Sequence, residues 1–248
     1  MHPPRLRLIS SMATRALLEE LAACWNQRRD AVGVDVESVG GVDVLRRVAA
    51  GEDFDLVVLA ADAIEQLIAS GRVVAGSRAD LVHSGVAVAV RAAAPRPDIG
   101  SEAALRAAVL AARTIGISTG PSGVELLRVF ERWGLAEILR ARIVQARPGM
   151  PVGEMVARGE AELGFQQLSE LQRLPGIELL GPLPAEVQIV TTFAAGLCAG
   201  CTRPQEAMAV LDYLRSPATA ESKRGHGMSP ASTASADSPP TTTRPETR

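Results

Sequence analysis

Short apolar runs alternate with stretches of helical period along this chain, the pattern of an α/β fold with mostly parallel strands. Leu6-Arg7-Leu8-Ile9 reads as a first strand, and after it Leu17, Leu18, Leu21, Cys24 and Trp25 recur on one helix face. Residues 34–38 alternate as a second strand, which Val39-Gly40-Gly41-Val42-Asp43 turns into a helix carrying Val44, Leu45 and Val48. Leu56-Val57-Val58-Leu59-Ala60 is apolar throughout, as in a strand buried on both faces. Asp62 follows as an N-cap, with Ile64, Leu67 and Ile68 inward.

A second series repeats the pattern. Residues 86–90 form a strand, and Ser101 caps a helix with Leu105, Ala108, Val109 and Ala112 inward. Thr114-Ile115-Gly116-Ile117 is a strand, and its following helix shows Leu126, Leu127, Phe130 and Trp133 before stopping at Gly134. Residues 143–145 and 162–166 are further strands, separated by the loop Arg147-Pro148-Gly149-Met150-Pro151 and a helix with Val152, Met155 and Val156. A long strand over 189–197 returns to the first series, and Pro204 opens a last helix with Ala207, Val210, Leu211 and Leu214 inward. These elements divide the chain into a discontinuous lobe (1–84 with 188–228) and a second lobe (85–187). The Ser, Thr and Pro-rich stretch 229–248 is expected to be a disordered tail.

Two junctions stand out for chemistry. Ser10-Ser11-Met12-Ala13-Thr14 and Ser118-Thr119-Gly120-Pro121-Ser122-Gly123 each join a strand to a helix through hydroxyl-bearing residues. The first helical turn has unpaired N–H groups and a partial positive charge, so it solvates an anion without lysine or arginine. Ser10 and Ser11 suit capping as well, and Gly120 and Gly123 suit tight turns or close approach of backbone to ligand. Two such junctions in two lobes point to a ligand held between them.

Composition narrows the classes. At 248 residues and 47% apolar content a sizeable core is available, while 3% aromatics and a net charge of −2 argue against nucleic acid. No stretch is long and apolar enough to span a bilayer. Residues 10–15 contain no glycine, which excludes a dinucleotide fingerprint there. The histidines are His2, His83 and His226, leaving His83 alone for a hydrolytic triad. Cys198-Ala199-Gly200-Cys201 has metal or redox spacing, but no second pair accompanies it, and neither metal nor cofactor is expected.

The order of Ser10-Ser11-Met12-Ala13-Thr14, residues 54–62, residues 118–123 and residues 159–165 resembles the periplasmic-binding-protein type II family, specifically the molybdate-binding proteins of ABC transporters. The resemblance runs from about Leu6 to Met228. It implies two α/β lobes closing over a ligand, a periplasmic location and a membrane permease as partner, with the protein itself a monomer. No leader segment is recognisable at the start, which as written reads as cytoplasmic. Carried over by position, Ser10, Ser11 and Met12 supply the first contact, Ser118, Thr119, Gly120, Ser122 and Gly123 the second, and Pro151 and Val152 a further helix start.

Two departures matter. Gly40-Gly41 stands where the molybdate binders have a serine-rich turn, and Gln166 where they often have a tyrosine. Fewer hydroxyls and more room favour a carboxylate over a tetrahedral oxyanion. Aconitate isomerase, an enzyme similar to this family, is therefore the second reading. It would need a general acid/base, for which Asp62, His83 and Glu170 are candidates, and Arg147 as cationic partner. Non-catalytic binding of a small anion is placed first and proton transfer second. Of Gln166 and Gln167, strand alternation turns only one toward the cleft.

Overall fold

A computed structural model describes residues 5–29, 31–147 and 149–231. In chain order the first half contains β1 (Leu6–Ser11), α1 (Arg15–Asn26), β2 (Val34–Val39), α2 (Gly41–Ala49), β3 (Leu56–Ala60), α3 (Ala61–Ala69) and β4 (Ala79–Arg91). Next come α4 (Glu102–Ala111), β5 (Ile115–Ile117), α5 (Pro121–Arg132), α6 (Ala136–Leu139), β6 (Ile143–Gln145), α7 (Val152–Ala157), β7 (Leu163–Gln167) and α8 (Leu168–Leu171). The chain continues through β8 (Ile177–Pro182), β9 (Val190–Leu197), α9 (Pro204–Arg215), α10 (Ala220–Gly225) and β10 (Met228–Pro230).

The strands are ordered β2-β1-β3-β9-β4-β7-β5-β6, with β8 and β10 pairing on β4. Each half holds three parallel strands, β2-β1-β3 and β7-β5-β6. Antiparallel strands join them. Strand β4 pairs with β9 through Gly85 and with β7 from Val86 onward, so one strand passes between the halves. Helices flank both sheets, and the two halves make the two-lobed α/β architecture.

Packing follows the sequence pattern closely. Leu17, Leu18, Leu21 and Trp25 of α1 pack with Leu6, Leu8 and Val82 and with Val210, Leu211 and Leu214 of α9. On the other face of the same sheet lie Ile9, Val57, Leu59, Val44, Val48, Ile64 and Leu67. A separate core in the other half joins Val86, Val88 and Val90 to Leu105, Val109, Leu126, Phe130 and Phe165. Ser101 caps α4 as expected, its Oγ accepting from the Ala104 amide at 3.2 Å.

The structure differs in several places. Cys24 is exposed, because α1 is covered on one side only and its buried stripe runs through Leu21, Ala22 and Trp25. Asp62 is not the N-cap of α3; Ala60 holds that position and Asp62 lies one residue inside the helix, exposed. Strand β4 begins seven residues before the expected start at Val86, since β9 and β10 supply partners for its polar first half. Strand β8 has no counterpart in the sequence reading, although Pro175-Gly176 and Gly181-Pro182 bracket Ile177-Glu178-Leu179-Leu180. Ser229 and Pro230, assigned to the tail, pair with His83 and Val82 in β10. Residues 232–248 lie outside the described residues, as does Pro148.

Candidate functional site

All six parallel strands point their carboxyl ends at one cavity, where open α/β sheets bind ligands. Ser11 ends β1, Gly40 follows β2, Ala60 ends β3, Ser118 follows β5, Ala146 follows β6 and Gln167 ends β7, and all of them line it. The cavity leaves about 100 Å³ to the centres of water molecules. A single water needs only about 10–15 Å³ of such space, so a small organic or inorganic ion fits.

From the first half come Ser11, Met12, Gly40 and Gly41; from the second come Ser118, Thr119, Gly120, Ser122, Arg147, Pro151, Gln166 and Glu170. Ser10, Asp62, His83, Gly123 and Val152 are not among the lining residues. Ser10 is fully buried and its Oγ lies 2.8 Å from Ser38 Oγ, tying β1 to β2. His83 is in β4, where its Nδ1 meets Thr192 Oγ1 at 2.9 Å. The amide of Val152 is already taken, donating to Gln166 Oε1 at 2.7 Å.

Glycines do two different jobs here. A Cβ at Gly123 would fall 2.0 Å from the Ser118 carbonyl oxygen, so the loop closes on itself only with glycine there. At Gly40, Gly41 and Gly120 nothing lies nearer than 3.5 Å and φ is not positive. Neither backbone nor crowding demands glycine at these three. What they provide is open space in the cavity wall.

Polar atoms in the wall are left without partners. Ser11 Oγ is buried and makes no hydrogen bond, although the residue sits at the start of a helical turn where capping would be the ordinary use. Gln167 Oε1 is likewise unpaired, while its Nε2 donates to Thr191 Oγ1 at 2.8 Å. Ser118 Oγ and Ser122 Oγ pair at 3.1 Å across the start of α5. Both glutamines line the cavity, against strict alternation, because Gln167 is also the residue where the chain turns into α8.

Two charged residues line the cavity among the described residues, Arg147 and Glu170. Arg147 is exposed and makes no ion pair with a described residue. Glu170 is half-buried in the wall, and loss of solvent pushes its carboxyl up to about 7, a hydrogen bond from Gln166 working the other way. That bond runs from Gln166 Nε2 to Glu170 Oε1 at 2.7 Å. Protonated and ionised forms of Glu170 are thus both accessible near neutrality.

Sequence reading missed Ala60, Thr191 and Phe193. Ala60 ends a strand–helix junction of the same kind as the other two and lacks only the hydroxyls that drew attention to them. Thr191 and Phe193 arrive on β9, far along the chain, with no local signal. The described residues contain no group of three or more His, Cys, Asp or Glu able to hold a metal. Burial pushes the Cys198 thiol up to about 12 and that of Cys201 up to about 11, which opposes thiolate chemistry. No helix among the described residues is long and apolar enough to cross a membrane.

Known proteins bear on this geometry. Residues 6–229 match the family described as bacterial extracellular solute-binding protein. An aconitate isomerase from Pseudomonas sp is 35% identical over 233 residues, covering 91% of this chain and 87% of that protein. The periplasmic molybdate-binding protein of Azotobacter vinelandii superposes with a TM-score of 0.75 at 22% identity, over 90% of this chain and 98% of that one. A sulfate-binding protein from Mycobacterium tuberculosis gives 0.75 at 16% identity, over 94% and 88%. The two structures share the fold, and the family match covers nearly every described residue: this chain belongs to the bacterial extracellular solute-binding protein family.

Proposed function

We propose that this protein binds a small polycarboxylate in the cavity and shifts a proton between two of its carbons, as an isomerase of aconitate type. The observation that carries this is Glu170: a carboxyl in the wall of an anion-attracting cavity, held near pKa 7 by burial. A general base works best when its pKa lies near the working pH. The 35% identity to an aconitate isomerase over most of both chains supports the same reading.

In this mechanism the substrate carboxylates face the backbone amides at Gly40-Gly41 and at the start of α5, with Arg147 as counter-charge. Ionised Glu170 takes a proton from the methylene carbon beside the alkene. The C–H electron pair becomes a new double bond to the central carbon, the old π pair passes to the far alkene carbon, and that carbon takes the proton back from Glu170. Protons and electrons balance without a cofactor. Closure of two lobes, 1–84 with 188–228 and 85–187, about Gly85 and Gln188 would exclude water during the step.

A second reading is non-catalytic capture of a small oxyanion such as molybdate for a membrane permease. It is favoured by the unpaired Ser11 hydroxyl and the converging helix starts. Ionised Glu170 repels either anion, so what places this reading second is the 35% identity to an aconitate isomerase over most of both chains. The test is to incubate purified protein with trans-aconitate and follow the ultraviolet and proton NMR spectra. Conversion that disappears in Glu170→Gln supports the isomerase. An unchanged spectrum, with calorimetric binding of molybdate, tungstate or sulfate, overturns it in favour of capture.

A further inference from the structure

We infer that Gln166 is a positioning residue that fixes which oxygen of Glu170 exchanges the proton; this rests on the isomerase reading above. The orientation of the Gln166 amide is settled by a backbone group. The Val152 N–H can only donate, so the atom 2.7 Å from it is Gln166 Oε1. The amide nitrogen is then the atom turned to Glu170, and it too can only donate, to Glu170 Oε1 at 2.7 Å. Glu170 Oε1 is therefore an acceptor in both protonation states. The proton, when present, resides on Oε2.

The arrangement is a chain of three groups, from the first residue of α7 through the end of β7 to α8. Gln166 is buried at 3% exposure, and both ends of its amide are engaged, so its rotamer is locked. A side chain locked at both ends holds the group it touches within the tolerance that proton transfer needs. The hydrogen bond also favours ionised Glu170, opposing burial.

Other charges do not supply this control. Helix α8 packs against β4, β7, α7 and the turn at residues 12–14. Their charged groups are Asp80, His83 and Arg91 on β4 and Glu154 on α7; the hydrogen bond to Glu170 comes from Gln166, and the two causes of its raised pKa are burial first and that bond, in the opposite sense, second.

The test compares Gln166→Leu, which removes both bonds, with Gln166→Glu, which keeps an acceptor for Val152 and loses the donor to Glu170. The carboxyl carbons of protein labelled with ¹³C-glutamate are titrated by NMR, with Glu170→Gln assigning the Glu170 signal. In both variants the Glu170 midpoint is expected to rise by about one pH unit or more, and the acid limb of the isomerisation pH profile to move with it. In Gln166→Glu the two carboxyls titrate as a coupled pair. A Glu170 midpoint within a few tenths of a unit of the parent in both variants overturns the inference. Because the titration needs no turnover, the two failures are distinct: a parent protein that leaves trans-aconitate unchanged overturns the isomerase reading and with it the catalytic role of Gln166, whereas an unmoved Glu170 midpoint overturns the hold of Gln166 on Glu170 itself.

Discussion

Ser169 Oγ donates to the Ala13 carbonyl at 2.8 Å, linking α8 in one half to the turn after β1 in the other. The residues are 156 positions apart, and their neighbours Met12 and Glu170 both line the cavity. The bond closes the cavity wall directly beside the proposed base. Ser169→Ala removes it and leaves a carbonyl that water can reach on opening. Such a bond contributes about 1 kcal/mol, so ligand affinity is expected to fall about fivefold with little change in fold. Isothermal calorimetry on the two proteins checks this, and equal affinities would show that the contact is incidental to closure.

Glu170 sets a pH dependence of stability. Its carboxyl, ordinarily near 4.5, stands at about 7 in the folded chain. Below pH 4.5 the group is neutral folded or unfolded and costs nothing. Between pH 4.5 and 7 the folded chain holds a proton that the unfolded chain has released, so stability falls as pH rises; above 7 the full cost is present. Because Glu170 keeps partial exposure in the cavity wall, that cost is discounted to about 2 kcal/mol. Glu170→Gln should melt with the parent at pH 4.5 and roughly 4–8 °C above it at pH 8. A melting difference independent of pH contradicts the burial of this carboxyl.

Ser11→Ala separates ligand contact from structure. The Ser11 hydroxyl is buried with no partner, so its removal is expected to leave stability unchanged or raise it slightly. A hydrogen bond to a charged ligand is worth about 1.5–3 kcal/mol, and affinity should drop by roughly 10- to 100-fold. Urea unfolding read beside calorimetry distinguishes the two effects. A stability loss above 1 kcal/mol with affinity intact would assign the hydroxyl to the fold.

The glycines of the second junction divide the same way. Gly123→Ala drives a methyl group against the Ser118 carbonyl and should cost at least about 1–3 kcal/mol. Gly120→Ala meets nothing nearer than 3.9 Å and is expected to fold normally, its methyl group instead occupying ligand space. Denaturation midpoints and ligand affinities of the pair check the contrast, and the expectation fails if both variants lose stability equally.

Much of the fold was legible because local pattern and burial agree. The apolar run of β3 is buried at all five positions, and the stripes of α7 and α9 lie inward as their spacing predicts; on α2 and α5 Leu45, Leu127 and Trp133 are only half-buried, and Val129 is buried beside Leu126 and Phe130. Legibility failed where long-range pairing rescues a polar stretch. The first half of β4 carries Asp80, His83 and Ser84 and becomes strand only because β9 and β10 lie beside it. The short strand β10 is the same case, a segment of tail-like composition held in register with β4.

For the site, the residues alone determined that hydroxyls and glycines gather at strand-to-helix turns, because unpaired amides and small side chains are local properties. Only the tertiary structure decided that six such turns meet at one cavity, that Gln166 is spent on Val152 and Glu170, and that His83 and Asp62 stand elsewhere. The pairing of β4 with β9 and β7 sets how the two halves face each other. That facing half-buries Glu170 in the cavity wall and raises its pKa. Burial depends on what distant segments bring to a residue, and no stretch of sequence carries that information by itself.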